Sequence, residues 1–351
     1  MRWRFLAVFG LLLLLAMEAV SCAAIAPAPK FGGGDLKAPF EIERQRAIFG
    51  AAIEGFSCPP PLDPVRNLQI ADFYGNSDKY GVDTKELRLY QAKITSMGDD
   101  FVRSKPANAA IAECVLQWLY AWAQADSLLG SKTQQGRYEQ QWSVVTIASA
   151  YLKVRDSQGL DASKKARVEA WIAKLAQAMF PHYALNPQRE DASNNHRYWA
   201  GLGAVLAGIA TNNKEMFNWG LDAFAVGVNQ IGVSGNLPLE DKRGRKALHY
   251  HNFALEPLIL MAEAAAANGM DLYSLREGAI HKLVKRVLDG LDGKGDLGRG
   301  QDAVPERDFT WMEPYYKRFK DPRLVPYLKK YRPLRNIWFA DATLLFGEVE
   351  L

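Results

Sequence analysis

The feature that most constrains the fold is a succession of apolar segments with helical periodicity, each followed closely by a turn. They are rich in Ala and Leu, and few β-branched alternations compete with a helix. Short polar breaks such as Gly130-Ser131 and Asn212-Asn213 place successive helices antiparallel. The pattern predicts an all-α chain of helical hairpins, arranged as a toroid or as an α-solenoid, and the lack of a fixed-period repeat disfavours the solenoid. The predicted helices cover residues 107–129, 137–154, 162–180, 196–210, 214–231, 247–267 and 275–291.

The first 24 residues have the composition of a secretory signal peptide. Arg2 and Arg4 precede an apolar run over residues 6–17, and small residues follow. This run is shorter than the roughly 20 apolar residues that a membrane-spanning helix needs, and no later stretch qualifies. We therefore expect residues 1–24 to be removed, and residues 25–351 to form one periplasmic domain without a transmembrane segment. Lipidation at Cys22 is an alternative, although the Leu usually found three residues before such a cysteine is absent.

Cys58 and Cys114 are the cysteines that remain after removal of the signal peptide. In an oxidising compartment, an exported pair most simply forms a disulfide. Such a bridge would connect the N-terminal segment to a helix, and loop entropy predicts a stabilisation of roughly 4 kcal/mol. Two buried free thiols are the alternative.

The formal charge of +4 is too small to indicate a nucleic-acid partner. Basic residues gathered in one groove could still bind an anionic polymer, and two clusters are candidates, at residues 242–246 and 317–320. The second cluster is more typical of a solvated surface. No spacing typical of metal ligands occurs, neither His-x-x-x-His nor Cys-x-x-Cys, so we predict no metal and no cofactor.

Two polar segments interrupt the apolar pattern. One reads Asn-Asn-His-Arg-Tyr-Trp from Asn194 to Trp199, and the other places Arg243 seven residues before Tyr250 in an Ala-Leu-His-Tyr-His sequence. Taken alone, the first segment is typical of a helix N-cap followed by a hydrogen-bonded histidine, and the second is typical of a helix with a tyrosine in the core. Together, in this order and spacing, they resemble the two motifs of the mannuronate-specific alginate lyases of polysaccharide lyase family 5.

The resemblance spans most of residues 25–351 and implies an incomplete (α/α) toroid of antiparallel hairpins with a deep substrate cleft. It implies a poly(β-D-mannuronate) lyase, which cleaves alginate by β-elimination and leaves a 4,5-unsaturated uronate at the new chain end. The partner would be this anionic polysaccharide, with no nucleic acid and no cofactor. A monomer is the simplest oligomeric state.

The resemblance also assigns four catalytic residues. Elimination requires a neutralised carboxylate, a base for the C5 proton and an acid for the departing O4. Asn195 and Arg243 are suited to the carboxylate, because an amide donor and a fixed cationic fork stabilise an enolate-like oxyanion. In mannuronate the C5 proton and O4 lie on the same side of the ring, so Tyr250 could serve as both base and acid if a cation such as Arg243 lowers its pKa. His196 would then assist, or would itself be the base.

Four further residues are candidates for substrate binding. Trp199 lies one turn after the proposed catalytic histidine and would offer a platform for a sugar ring, next to Tyr198. The segment 77–81 resembles the mobile loop that covers the cleft in this family; in it Lys79 would bind a carboxylate and Tyr80 would close over a sugar. Arg197 stands where the family often has Ser, which predicts an altered subsite.

Three alternatives differ in chemistry. A lyase of the same design could act on another polyuronate, such as polyglucuronate. A glycoside hydrolase on an (α/α) barrel would use a pair of carboxylates, for which Glu240, Asp241 and Glu313 are candidates. A non-catalytic polysaccharide-binding protein of the envelope would bind alginate without altering it.

Overall fold

A computed structural model describes residues 26–351, so the expected signal peptide and Cys22 lie outside the described residues. Thirteen α-helices occur in this range, together with one short antiparallel pair, β1 Arg335–Asn336 and β2 Ala340–Asp341. No helix within 26–351 combines the length and the apolar composition needed to cross a bilayer. The helices are α1 Ile42–Phe49, α2 Ser77–Arg103, α3 Ala109–Gln124, α4 Gln134–Val154, α5 Ala162–Tyr183, α6 Asn195–Ala210, α7 Lys214–Gln230, α8 Pro238–Asp241, α9 Ala247–Ala267, α10 Leu275–Leu291, α11 Met312–Phe319, α12 Val325–Tyr331 and α13 Ala342–Phe346.

The helices form two layers of a toroid. Helices α2, α4, α6 and α9 are neighbours on the inside, and each packs against the helix that follows it on the outside, α3, α5, α7 and α10. Helices α11 and α13 and the β1–β2 pair pack against α9 and α2 and fill the remaining side. The predicted (α/α) toroid is confirmed, as are the seven predicted helices, which correspond to α3–α7, α9 and α10 with small shifts at their ends.

The longest helix, α2, was not predicted. It begins at Ser77, with the Asn76 side chain accepting a hydrogen bond from the Lys79 backbone N–H, so segment 77–81 is a helical turn and not a loop. Many charged residues on its outer face hide the helical period. A buried stripe nevertheless repeats at intervals of three and four residues, and it is the signal that would have identified the helix; it consists of Leu87, Tyr90, Ile94, Met97 and Phe101.

Helices α6 and α7 pack closely against each other through glycines. A Cβ at Gly201 would lie 2.5 Å from the Ala223 Cβ, and a Cβ at Gly220 would lie 2.5 Å from the Gly201 carbonyl oxygen. These distances are too short for any side chain, so the two backbones pack directly on each other. The contact holds α6 in the centre of the molecule, where every residue except His196 is buried.

An extended N-terminal segment, residues 26–37, crosses the outside of the toroid and is held by asparagine side chains. Asn229 accepts from the Ala26 N–H at 3.0 Å and donates to the Ala26 carbonyl oxygen at 2.8 Å. Asn218 and Asn268 make the same paired contacts with Phe31 and Lys37. Each amide thereby makes the two hydrogen bonds that a neighbouring β-strand would make, and these pair backbone groups that would otherwise have no partner.

The predicted disulfide between Cys58 and Cys114 is confirmed, with a Cα–Cα distance of 5.6 Å. Cys114 is buried in α3, and Cys58 belongs to the irregular segment before α2. The Trp118 and Trp122 indoles donate to the carbonyl oxygens of Pro59 and Leu62, at 2.9 and 3.0 Å. The bridge and these two hydrogen bonds fix the N-terminal segment along α3.

Replacing both Cys58 and Cys114 with Ser is expected to lower the free energy of unfolding by about 2–5 kcal/mol, because the unfolded chain then regains the entropy of the open loop. Urea unfolding of the oxidised wild type and of the double variant measures the difference. Adding a reductant should destabilise the wild type and leave the variant unchanged; equal stability in both proteins would contradict the role of the bridge.

Gly220→Ala is expected to destabilise the protein by about 1–3 kcal/mol, because the added methyl group collides with the α6 backbone. This cost exceeds the roughly 1 kcal/mol that Ala gains over Gly within a helix. Gly81→Ala in α2 is the matched control, since a Cβ there has no atom within 4 Å. The control should raise the urea midpoint while Gly220→Ala lowers it; a rise in both would show that the helices can separate at little cost.

Candidate active site

The N-terminal parts of α2, α4, α6 and α9 surround a cleft of about 840 Å³. Its walls carry aromatic rings and both signs of charge, a lining suited to a polymer of charged sugars. Asn195, His196, Arg243 and Tyr250, which come from two separate segments of the chain, all line it. Other lining residues include Tyr74, Tyr80, Arg88, Tyr138, Trp142, Arg189, Asp191, His249, Arg307 and Trp338.

Asn194 and Asn195 have different tasks at the start of α6. The Asn194 side chain caps the helix by accepting from the His196 backbone N–H at 3.0 Å. Asn195 is fully buried, and both its backbone N–H and its Nδ2 donate to Glu240 Oε1 at 2.9 Å. The other oxygen of Glu240 lies 3.6 Å from Arg243 Nε. One buried carboxylate therefore holds both of the groups proposed to neutralise the substrate.

His196 is held by two residues of α4. Its ring stacks on Tyr138 with a centroid distance of 3.7 Å, and its Nδ1 lies 3.0 Å from Gln141 Nε2. Burial lowers the pKa of His196 to about 3; the charge of Asp191 opposes this effect, and those of Arg243 and His182 add to it. His196 is therefore neutral near pH 7 and can exchange hydrogen bonds without carrying a charge.

Tyr250 lies on the first turns of α9, with the Arg243 guanidinium 4.7 Å from the centre of its ring. Burial raises its pKa, as does a hydrogen bond between its hydroxyl and that of Tyr74; Arg243 lowers it, but not enough to reverse the shift. Arg243 thus acts in the expected direction but does not by itself produce a phenolate here. Tyr250 is protonated in this state of the protein.

The segment that covers the cleft lies just before the predicted one. Residues 72–76 form a turn that places Tyr74 against Tyr250, and Lys246 Nζ lies 3.9 Å from the centre of the Tyr74 ring. Lys79 does not line the cleft, since it pairs with Asp83 at 2.8 Å on the surface of α2. Tyr80 does line it, and its hydroxyl donates to the buried Glu139 at 2.8 Å.

Three residues of α6 differ from our expectations because they are buried behind the cleft. Trp199 is fully buried and packs on Phe253 and Trp338, so it offers no sugar platform. Tyr198 is buried as well, and its hydroxyl donates to the Ser193 carbonyl oxygen at 3.2 Å. Arg197 stacks on Trp219 and donates to the last turn of α5, so it shapes no subsite.

Each arginine of the cleft has a carboxylate nearby. Arg88 Nη2 lies 2.6 Å from Glu139 Oε2 and 2.8 Å from the Tyr80 hydroxyl, and its guanidinium also lies over the Trp338 ring. Arg189 pairs with Asp191 at 2.8 Å. The basic cluster at 242–246 reaches the cleft through Arg243, and its Lys246 lies over the ring of Tyr74. In the cluster at 317–320, Arg318 and Lys320 pair with Glu263 and Glu348. Arg318 and Lys320 therefore do not form a free anion-binding surface.

The carboxylates considered for hydrolysis do not form a pair in the cleft. Glu240 is occupied by Asn195, Asp241 pairs with Arg286 at 2.9 Å, and Glu313 is buried against Arg332 at 2.7 Å. Within residues 26–351, no three His, Cys, Asp or Glu side chains are grouped as metal ligands would be.

Sequence reasoning missed the groups that orient the proposed catalytic residues. Glu240 lies three residues before Arg243, a helical spacing that a search for its partner would have found. Tyr138 and Gln141 also have helical spacing, but which face of α4 meets α6 depends on the packing. Tyr74 lies in a turn that gives no periodic signal.

The sequence matches known lyases. The family model for alginate lyase matches residues 69–297. A "Polysaccharide lyase" of Stenotrophomonas maltophilia is 34% identical over 301 residues, 81% of this chain and 88% of that protein. An "Alginate lyase" of Azotobacter vinelandii is 33% identical over 253 residues, 68% of this chain and 67% of that protein.

Solved structures have the same fold. A variant of alginate lyase A1-III complexed with a tetrasaccharide superposes with a TM-score of 0.79 at 23% identity, covering 91% of this chain and 98% of that one. An alginate lyase from Bacteroides ovatus gives a TM-score of 0.63 at 15% identity, covering 84% and 90%. The match to the family model and the similarity along most of the chain show that this protein belongs to the alginate lyase family, as its two motifs predicted.

Proposed function

We propose that this alginate lyase acts on mannuronate-rich chains and cleaves them by β-elimination, leaving a 4,5-unsaturated uronate. The observation that carries the proposal is the convergence of Asn195, His196, Arg243 and Tyr250 on one cleft. An amide, a neutral imidazole, a guanidinium and a protonated phenol together meet the needs of the reaction: oxyanion stabilisation and proton transfer.

Asn195 and Arg243 neutralise the carboxylate, and Glu240 keeps both in place before the substrate arrives. Such prior placement favours the developing enolate, because no reorganisation is needed as its charge forms. Tyr250 must first release its own proton to solvent and become a phenolate, and Arg243 is the neighbour that lowers its pKa. The phenolate then takes the C5 proton, and the resulting hydroxyl passes that proton to O4 as the C4–O4 bond breaks and the C4–C5 double bond forms.

Two variants of alginate lyase A1-III support the choice of residues. One replaces a tyrosine with phenylalanine and the other a histidine with alanine, and both are complexed with a tetrasaccharide. The two replaced residues have the same separation along their chain as His196 and Tyr250. We carry this correspondence to His196 and Tyr250 as part of the proposal.

We further propose that residues 25–351 act as one lyase domain, exported to the periplasm by the N-terminal 24 residues and monomeric there. The composition of that N-terminal stretch supports export. The disulfide supports an oxidising compartment, because glutathione and thioredoxin keep such pairs reduced in the cytosol.

Tyr250→Phe is expected to lower kcat on polymannuronate by about 10²–10⁴-fold, since the variant can neither donate nor accept the proton. The measurement is the ultraviolet absorbance of the new double bond. Tyr120→Phe is the control, because it removes a hydroxyl that only accepts from Gln124 on the surface of α3. An active Tyr250→Phe variant would remove Tyr250 from the mechanism.

The absorbance should rise at least about 10 times faster with polymannuronate than with polyguluronate, because of these two sugars only mannuronate has its C5 proton and O4 on the same side of the ring, where a single tyrosine can serve both. Polyglucuronate completes the panel and tests the alternative lyase. New reducing ends without absorbance would indicate hydrolysis instead. Binding of alginate with neither product would indicate the non-catalytic alternative.

A further inference from the structure

Helix α4 fixes His196 from two directions. Tyr138 lies flat against the imidazole, with 13° between the ring planes, and Gln141 meets its Nδ1 edge. Gln141 is completely buried. Because Nδ1 is occupied and the ring lines the cleft, Nε2 is the nitrogen left to meet a substrate. Which of the two nitrogens carries the proton therefore decides what His196 can do in the reaction.

The Gln141 amide can meet Nδ1 in two ways. If its N–H donates, Nδ1 is the acceptor and the proton lies on Nε2; if its oxygen accepts, the proton lies on Nδ1. In the structure the N–H faces Nδ1, and the buried Gln141 Oε1 has no hydrogen-bond partner. Turning the amide over would leave its NH₂ group without a partner in place of its oxygen. An unpaired buried carbonyl oxygen is tolerated better than an unpaired N–H, so the observed orientation is favoured.

We infer that Gln141 is a positioning residue that holds His196 as the neutral Nε2–H tautomer, so that Nε2 presents a hydrogen-bond donor to the cleft. The inference rests on the proposed function, because it assigns a task to one of its residues.

The charges around His196 fit this assignment. Asp191, Arg243 and His182 face it, and their sum does not offset the effect of burial, so the ring is neutral at neutral pH. A neutral Nε2–H stabilises an oxyanion by donating to it, as the Asn195 amide would. The carboxylate thus meets two neutral donors and one cation, Arg243.

The first test is nitrogen NMR of the wild-type protein labelled with ¹⁵N at histidine, which distinguishes the two neutral tautomers directly. The chain has five histidines, and loss of one signal in His196→Ala assigns that of His196. His251 is an internal reference for the opposite tautomer, because its Nε2 accepts from the Leu237 N–H at 3.0 Å and its Nδ1 faces the Ala247 carbonyl oxygen at 2.7 Å. We expect His196 to be the Nε2–H tautomer and His251 to be the Nδ1–H tautomer between about pH 6 and 8, where both rings are neutral. Finding His196 as Nδ1–H would overturn the inference.

The second test compares two substitutions of Gln141 on polymannuronate. Gln141→Glu places only acceptors at Nδ1, which draws the proton away from Nε2, and kcat should fall by about 10²-fold or more with little change in KM. Gln141→Met keeps the volume without imposing a tautomer, so its loss should be smaller, about 10-fold. A role in packing alone would lower the amount of folded protein and would not lower kcat selectively, so a loss of folded protein with unchanged kcat would contradict the inference. Met as the slower variant would contradict it as well.

Gln117→Glu adds the same charge on the exposed face of α3 and should leave kcat unchanged. If Gln141→Glu does not fold, the wild-type spectrum and the Met variant still decide. An Nδ1–H tautomer in an enzyme that cleaves polymannuronate would overturn the inference and leave the proposed function standing. The Nε2–H tautomer in a protein that yields no unsaturated product would overturn the proposed function instead.

Discussion

The structure depends on the burial of α6 at the centre of the toroid. The glycine contact with α7 and the packing against α4 and α9 leave this helix almost no exposure to solvent. A helix in that position can keep unpaired polar groups only at an end, and the N-terminal end of α6 opens into the cleft. Asn195 and His196 therefore lie where a substrate can meet them, while the helix behind them is apolar.

Burial also explains how the site is organised. Charged groups near a low-dielectric core need partners, and Glu240 and Glu139 meet that need by bonding to residues of the cleft. The same environment keeps His196 neutral and Tyr250 protonated. The cleft thus presents hydrogen-bond donors held by buried carboxylates and amides, an arrangement suited to an anion whose charge moves during the reaction.

The errors of sequence reasoning have a common cause. Trp199 and Arg197 lie close to His196 along the chain, but α6 is surrounded on all sides, so residues near each other in sequence face different neighbours. Lys79 was assigned to a loop because its segment resembles the mobile loop of the family, and it lies instead in the first turn of α2. Tyr74, a few residues earlier, covers Tyr250 instead. In each case the residue type was informative and the direction of the side chain was not.

The sequence by itself determined seven of the helices and their hairpin order, the disulfide and the identity of the four residues that meet in the cleft, because periodicity, short loops and motif spacing are local properties of the chain. Only the tertiary structure decided which side chains face the cleft and what state they adopt. The contacts of Glu240 with Asn195 and of Gln141 with His196 join residues about 50 positions apart. Such contacts depend on the rotation and depth of packed helices, which no local pattern records.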